Sequence, residues 1–217
     1  MGEIAVINSL QQFQIMAIKF ERETIPGNMD VFWRQEVRML PGGFQPSQTI
    51  PVGEVVQRGA FVAVDFDAMS AAIVKVGKVL DGGTTSKPRV SKRNNFFAGD
   101  TVMKVGKTDT AVTVKSVDRT NPDYDVIELS VAIAGLAKDD FIQEAVKDDG
   151  GSAYSPAHVA NMVLGADYES RKVGIGTLDV AWSAMVLKDI CSPFPASWLE
   201  SNSPCMATNH NILFIKQ

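Results

Sequence analysis

Histidine and cysteine are scarce in this chain, with two of each in 217 residues. Cys191 and Cys205 lack Cys-x-x-Cys spacing and are too few for a disulfide scaffold. They read either as two free, partly buried thiols or as one C-terminal bridge, since unpaired cysteine packs as a small apolar residue. His158 and His210 are far apart, whereas metal and catalytic sites draw on more imidazole and thiol than this. No segment reaches the roughly 18–20 uninterrupted apolar residues that a membrane-spanning helix requires. The first fifteen residues, MGEIAVINSLQQFQI, have no basic leader, so a secretory signal is not expected. Met16 opens MAIKFERETIP and offers a second possible start beside Met1. Neither sign of charge dominates. A net charge of −4 gives no global attraction to nucleic acid or to an anionic membrane. Gly174-x-Gly176 lacks the third glycine of a dinucleotide loop, so no cofactor is expected.

What remains is an ordinary globular composition, 45% apolar and 21% charged. A chain of this size can bury a core without staples. Three zones follow from the pattern. Residues 1–50 form an N-terminal arm of poor periodicity, with short strands or turns such as IKFERE and VFWRQEVRML. Asp30–Met39 is alternatively one short helix capped by Asp30. Residues 51–147 form a β domain. Residues 148–217 form a C-terminal β-rich region. The expected fold is mainly β: a small antiparallel β-barrel or sandwich domain between an irregular arm and that C-terminal region.

The middle zone carries the clearest signal, which is strict alternation. Val74 and Val76 oppose Lys75 and Gly77. Val112 and Val114 oppose Thr113 and Lys115. Ile127, Leu129 and Val131 oppose Glu128 and Ser130. Asp81-Gly82-Gly83, Ala98-Gly99-Asp100 and Asn121-Pro122-Asp123 supply the turns. Lys138–Ala145 is expected as a helical turn or short helix, and Pro156 as the first turn of another, capped by Ser155. Asp65 and Asp67 are expected on one strand face, by the two-residue period of a strand.

Two groups of residues stand out as surfaces. Lys87, Arg89, Lys92 and Arg93 put four cations and no acid into seven residues. They read as a loop, either merely solubilising or contacting an acidic partner. Phe32, Trp33 and Arg34 are types that dominate interface hot spots and cores alike. They read as a candidate oligomer interface. His158, near Tyr154 and Ser155, would act in catalysis only if folding brought a nucleophile and an orienting group within reach.

The order of phrases over residues 50–145 resembles tailed-bacteriophage head-fibre and capsid-decoration proteins. The phrases are IPVGEVVQRGAFVAVD, a run ending KVL, FFAGDTVMKVG, TVKSVDRTNPDYDVIELSVAIAG and FIQEA. The resemblance implies a non-enzymatic virion protein, assembled in the host cytoplasm, with no catalytic residues. It implies a β domain that associates with itself, as a trimer, and docks on the major capsid protein lattice. Lys87, Arg89, Lys92 and Arg93 are then the docking candidates. Two other classes stay in view. A carbohydrate-binding or adhesin-like module would expose two of Trp33, Trp182 and Trp198 on one flat face. A small β-barrel hydrolase would join His158 or His210 to a carboxylate and a nucleophile.

Overall fold

The structure, a computed structural model, describes residues 30–171, 176–200, 203, 205 and 209–216. The first strands are β1 (Phe32–Met39), β2 (Gln45–Pro46), β3 (Val55–Val56), β4 (Phe61–Asp65) and β5 (Ser70–Ile73). Next come β6 (Val76–Leu80), β7 (Arg89–Ser91), β8 (Thr101–Lys104), β9 (Val112–Asp118), β10 (Tyr124–Leu129) and β11 (Phe141–Lys147). The last are β12 (Tyr154–Pro156), β13 (Met162–Leu164), β14 (Tyr168–Glu169), β15 (Val180–Leu187) and β16 (Ile212–Ile215). One 3-10 turn, Ala196–Leu199, is the single helical element among the described residues. The fold is mainly β.

Two large sheets divide the molecule, and β3 and β14 pair in a small third one. In the first, β11, β6, β7, β10, β9 and β8 pair in that order, and β8 returns to β11. The ring is a closed antiparallel barrel, and closure removes sheet edges that would otherwise recruit other chains. Its interior is filled by Val90, Phe96, Val102, Ile127 and Ile142, each 0% exposed. Gly77 lies where the wall is tightest. A Cβ there would sit 2.3 Å from Val90 Cγ1 and 3.1 Å from the Phe96 ring.

The second sheet has the order β1-β15-β13-β4-β5-β2, with β16 running parallel to β15. Its strands come from both sides of the barrel in sequence. The pairing therefore crosses residue 51 and residue 148, because β4 bonds to β13 and β1 to β15. Both faces of this sheet are covered. Phe61, Val163 and Ala181 enter one core, while Val62, Leu164 and Val180 enter the other. That explains why FVAVD and VAWSAMVL read as near-continuous apolar runs instead of alternating. Each fully buried Val, Leu or Phe contributes about 1.5–3 kcal/mol. Gly59 starts β4's approach at φ 81, and any Cβ there would lie 2.6 Å from Val31.

Several expectations are corrected. Within residues 30–50 the short strands are β1 and β2, and the segment is packed and not free of the sheet, since Val31, Phe32, Phe44 and Ile50 are all core. VFWRQEVRML holds a strand as first read, β1 at Phe32–Met39, and only the alternative helix falls: Asp30 accepts the N–H of Phe32 instead of capping a helix. IKFERE lies outside the described residues. Lys138–Ala145 is not helical: a turn leads into β11, whose main chain the neighbours β6 and β8 claim on both sides. Pro156 ends β12, with no helix after it. Val131 is 65% exposed because β10 stops at Leu129 and its alternation stops with it. Asp65 closes β4 and accepts the N–H groups of Asp67 and Ala68, so the two acids share a turn and not a strand face. Lys75, expected on a polar face, is 3% exposed. It sits where the chain leaves the sheet at Ile73 and enters the barrel at Val76.

Candidate functional site

The four cations of residues 87–93 do not form one exposed loop. Residues 89–91 are β7, and Val90 points into the barrel. At one end, Lys87 reaches Glu128 at 3.4 Å. Arg89 lies over the Tyr124 ring, 4.7 Å from its centroid. Both are thus turned toward the barrel's own surface. At the other end, the Lys92 ammonium is 2.6 Å from Asp125, a carboxylate only 4% exposed. Asn94 donates to the other oxygen of Asp125 at 2.7 Å. Three residues of strand separate the two ends by roughly 10 Å, at about 3.3 Å per residue.

Arg93 differs from the other three. Its backbone is left-handed, with φ 61. Its guanidinium makes one long hydrogen bond, 3.4 Å to the carbonyl of Arg58, and no ion pair among the described residues. Burial lowers its pKa, although the Cys191 thiol and Asp167 work in the opposite direction. Ser192 donates to the Arg93 carbonyl at 3.0 Å, which ties the C-terminal segment to this corner.

Lys92 and Arg93 stand as a ridge between two clefts. The larger, about 1010 Å³, opens between the barrel and the segment after β15. Lys78 and Lys188 add to its positive lining, and Phe141, Ile190 and Phe194 make it apolar below. Lys78 is paired with Asp139 at 2.7 Å. Lys188 lies 5.4 Å from the centroid of the Phe194 ring and has no carboxylate partner among the described residues. The second cleft, about 630 Å³, is more polar and includes Glu54, Gln57, Arg119 and Asp125. Arg119 is fixed there by the Phe96 carbonyl at 2.7 Å and Glu54 at 3.2 Å. Lys78, Lys188 and Arg119 were not legible as a group. Lys78 and Lys188 meet in the larger cleft only because the C-terminal segment packs on the barrel, while Arg119 lines the other cleft.

Cys191 also lines the larger cleft, yet burial pushes its thiol up to about 12 despite the neighbouring Arg93. Cys191 and Cys205 are both free and buried.

The N-terminal candidates separate as well. Phe32 is 2% exposed and belongs to the core, so it is not available to a partner. Trp33 is half-buried and Arg34 exposed, with the guanidinium 5.3 Å from the indole centroid. They begin a bulge. Phe32 pairs with Val186 but Val37 with Ala184, so β1 spends five steps where β15 spends two. Arg34 has φ 49 within it. β1 is the edge of its sheet, with no further strand among the described residues. Met185 and Leu213, side by side on β15 and β16, are both exposed near this edge.

Trp33 and Trp182 are half-buried and Trp198 is buried. His158 is partly buried near Lys75, and burial first, then Lys75, lowers its pKa. No family model matches the chain. No curated protein and no solved structure matches it either.

Proposed function

We propose that the chain is a structural protein of a tailed-phage virion that decorates the outer capsid, docking through the Lys92–Arg93 ridge. The phrase order described above motivates the class. The observation that carries the docking site is the cation pair of the larger cleft. Arg93 and Lys188 line that cleft with Phe141, Ile190 and Phe194, and neither makes an ion pair among the described residues, although Asp139 and Asp189 share the lining. A capsid lattice offering an acidic segment would complete them. Self-association, as a trimer, would use the bulged edge at Trp33 and Arg34 beside Met185 and Leu213. Such a protein is not an enzyme and takes no cofactor in this reading.

The test is occupancy on purified particles. Arg93→Ser with Lys188→Ser should lower occupancy and flatten its dependence on salt, because charge contacts are screened beyond about 8–10 Å at physiological ionic strength. Lys87→Ser with Arg89→Ser should leave occupancy nearly unchanged, since those cations are engaged elsewhere. Full decoration by the first variant at every salt concentration would overturn the assignment. The solution mass tests the trimer separately, and Trp33→Ala with Arg34→Ala should reduce it.

A further inference from the structure

Lys75, Asp100 and Glu144 form a buried constellation that the docking reading leaves unused. The Lys75 nitrogen lies 2.6 Å from Asp100 Oδ1 and 2.9 Å from Glu144 Oε1. The lysine side chain is 3% exposed, and those of Asp100 and Glu144 are 12% and 18% exposed. The Phe97 ring lies 5.4 Å from the nitrogen and helps to exclude water. Asp100 Oδ2 accepts the backbone N–H of Phe97 at 2.7 Å. Glu144 Oε2 is buried without a hydrogen-bond partner. The three residues come from adjoining strands of the barrel. Lys75 immediately precedes β6 and Asp100 precedes β8, while Glu144 lies on β11, the strand between them.

A structural ion pair is one use of such a group, but the arrangement carries more than attraction. Two carboxyl oxygens lie within hydrogen-bond distance of the nitrogen, from two different acids. Burial disfavours the charged forms of an amine and a carboxyl together. A desolvated lysine is a competent nucleophile. Held against a carboxyl group, it gains the large advantage of an intramolecular reaction. The Phe97 N–H is aimed at the oxygen on which negative charge would develop.

We propose that Lys75 and Asp100 join covalently, through an isopeptide bond that forms within the folded barrel with Glu144 as proton carrier. A proton passes from the Lys75 ammonium to the Asp100 carboxylate, leaving a neutral amine and a neutral acid. The nitrogen lone pair then attacks Cγ of Asp100, and the Phe97 N–H stabilises the oxyanion. Glu144 takes a second proton from nitrogen and delivers it to the departing hydroxyl. The C–N bond forms, the C–O bond breaks, and one water leaves. Glu144 ends as it began, and no oxidant or reductant is needed. Burial raises the Glu144 pKa against the opposing influence of Lys75, which suits a group that must hold and return a proton. The product staples β6 to β8 across β11 and shortens the accessible loops of the unfolded chain, as any cross-link does.

Peptide mapping of the purified, folded full chain decides it. Trypsin should fail at Lys75 and release residues 59–78 joined to residues 94–104 as one branched peptide, lighter than its two parts by one water. Lys75→Arg should abolish the branch, because guanidinium is not a nucleophile. Glu144→Gln should slow its appearance at least tenfold while retaining side-chain volume. Recovery of the two linear peptides from folded wild-type protein, with cleavage at Lys75, would overturn the proposal. A water lost at Asp81-Gly82 or Asp149-Gly150 leaves those peptides unbranched and counts against it equally. A branch forming as fast in Glu144→Gln would remove Glu144 from the chemistry. The result is independent of particle occupancy, since no surface residue of the ridge takes part.

Discussion

Replacing Phe61 by alanine should be among the most damaging single changes to the second sheet. The residue is 0% exposed. Its ring lies 5.1 Å from Phe194, 5.4 Å from Trp198 and 5.7 Å from Phe214, centroid to centroid. Truncating a buried Phe costs about 3–5 kcal/mol, through lost transfer energy and the cavity left behind. Two of these pairs are edge-to-face and the one with Phe214 is tilted; aromatic pairs contribute about 0.5–1.5 kcal/mol each, but the three partners share one ring and relax together, so their values do not add. A loss of about 4 kcal/mol is the working figure. For a chain of this length it lowers Tm by about 8–16 °C, at roughly 2–4 °C per kcal/mol. All three tryptophans lie outside residues 76–147, so their fluorescence follows the sheet, while far-UV circular dichroism follows sheet and barrel together. Urea titration by both probes should show the fluorescence midpoint shifted in Phe61→Ala. Phe66→Ala is the internal control. That ring is 53% exposed and touches Phe44 only at its edge, so its loss should stay within about 0.5 kcal/mol. A Phe61→Ala loss below about 1 kcal/mol would show that the C-terminal aromatics do not pack on β4, and with them would go the wall of the larger cleft.

Gly77→Ala should destabilise the barrel by about 1–3 kcal/mol by overpacking against Val90 and Phe96, measured by chemical denaturation. Native protein at mildly alkaline pH should leave Cys191 unalkylated, its pKa being held near about 12 by burial, and denaturant should expose it; rapid native labelling would contradict this. Stability should fall in acid. Asp118, held low by the Thr120 N–H and hydroxyl, and Asp139, held low by Lys78, both stabilise above their unfolded pKa and lose this as pH drops through the folded value. Asp140 behaves alike, because hydrogen bonds from Lys104 and the Ala137 N–H outweigh an opposing burial. Glu144, raised by burial, has the opposite sign, so its contribution fades as pH rises through its folded value. His158, lowered by burial, favours the folded state at high pH and loses that as pH falls below its ordinary 6.5. Denaturation midpoints should therefore drop in two stages from pH 7 to pH 3, and His158→Gln should remove the first; an unchanged first stage would clear His158.

The alternation of apolar and polar residues by itself determined the β class and much of the barrel's inner face. Val112, Val114, Ile127 and Leu129 are buried as their period requires, because the direction of successive side chains in a strand is a local property. The turns at Asp81, Gly99 and Asn121 are equally local, set by what glycine, proline and short polar side chains permit. Phe32 and Val131 mark the limit of that reading. Whether an aromatic in an edge strand is core or surface depends on what packs over it, and where alternation ends depends on where a partner strand stops. Only the tertiary structure decided that β8 would meet β11 and close the ring, and that strands on both sides of the barrel would share one sheet. It also brought Arg93 and Lys188 to one cleft and placed Lys75 beside Asp100 and Glu144. Those juxtapositions depend on long-range pairing, and the residues that meet have no shared spacing along the chain. Alternation sets Lys75 and Gly77 on the face opposite Val74 and Val76, yet all four are buried. The crossing from sheet to barrel buries both faces of the chain there, and the two carboxylates brought from β11 and the start of β8 are what make a lysine tolerable in it.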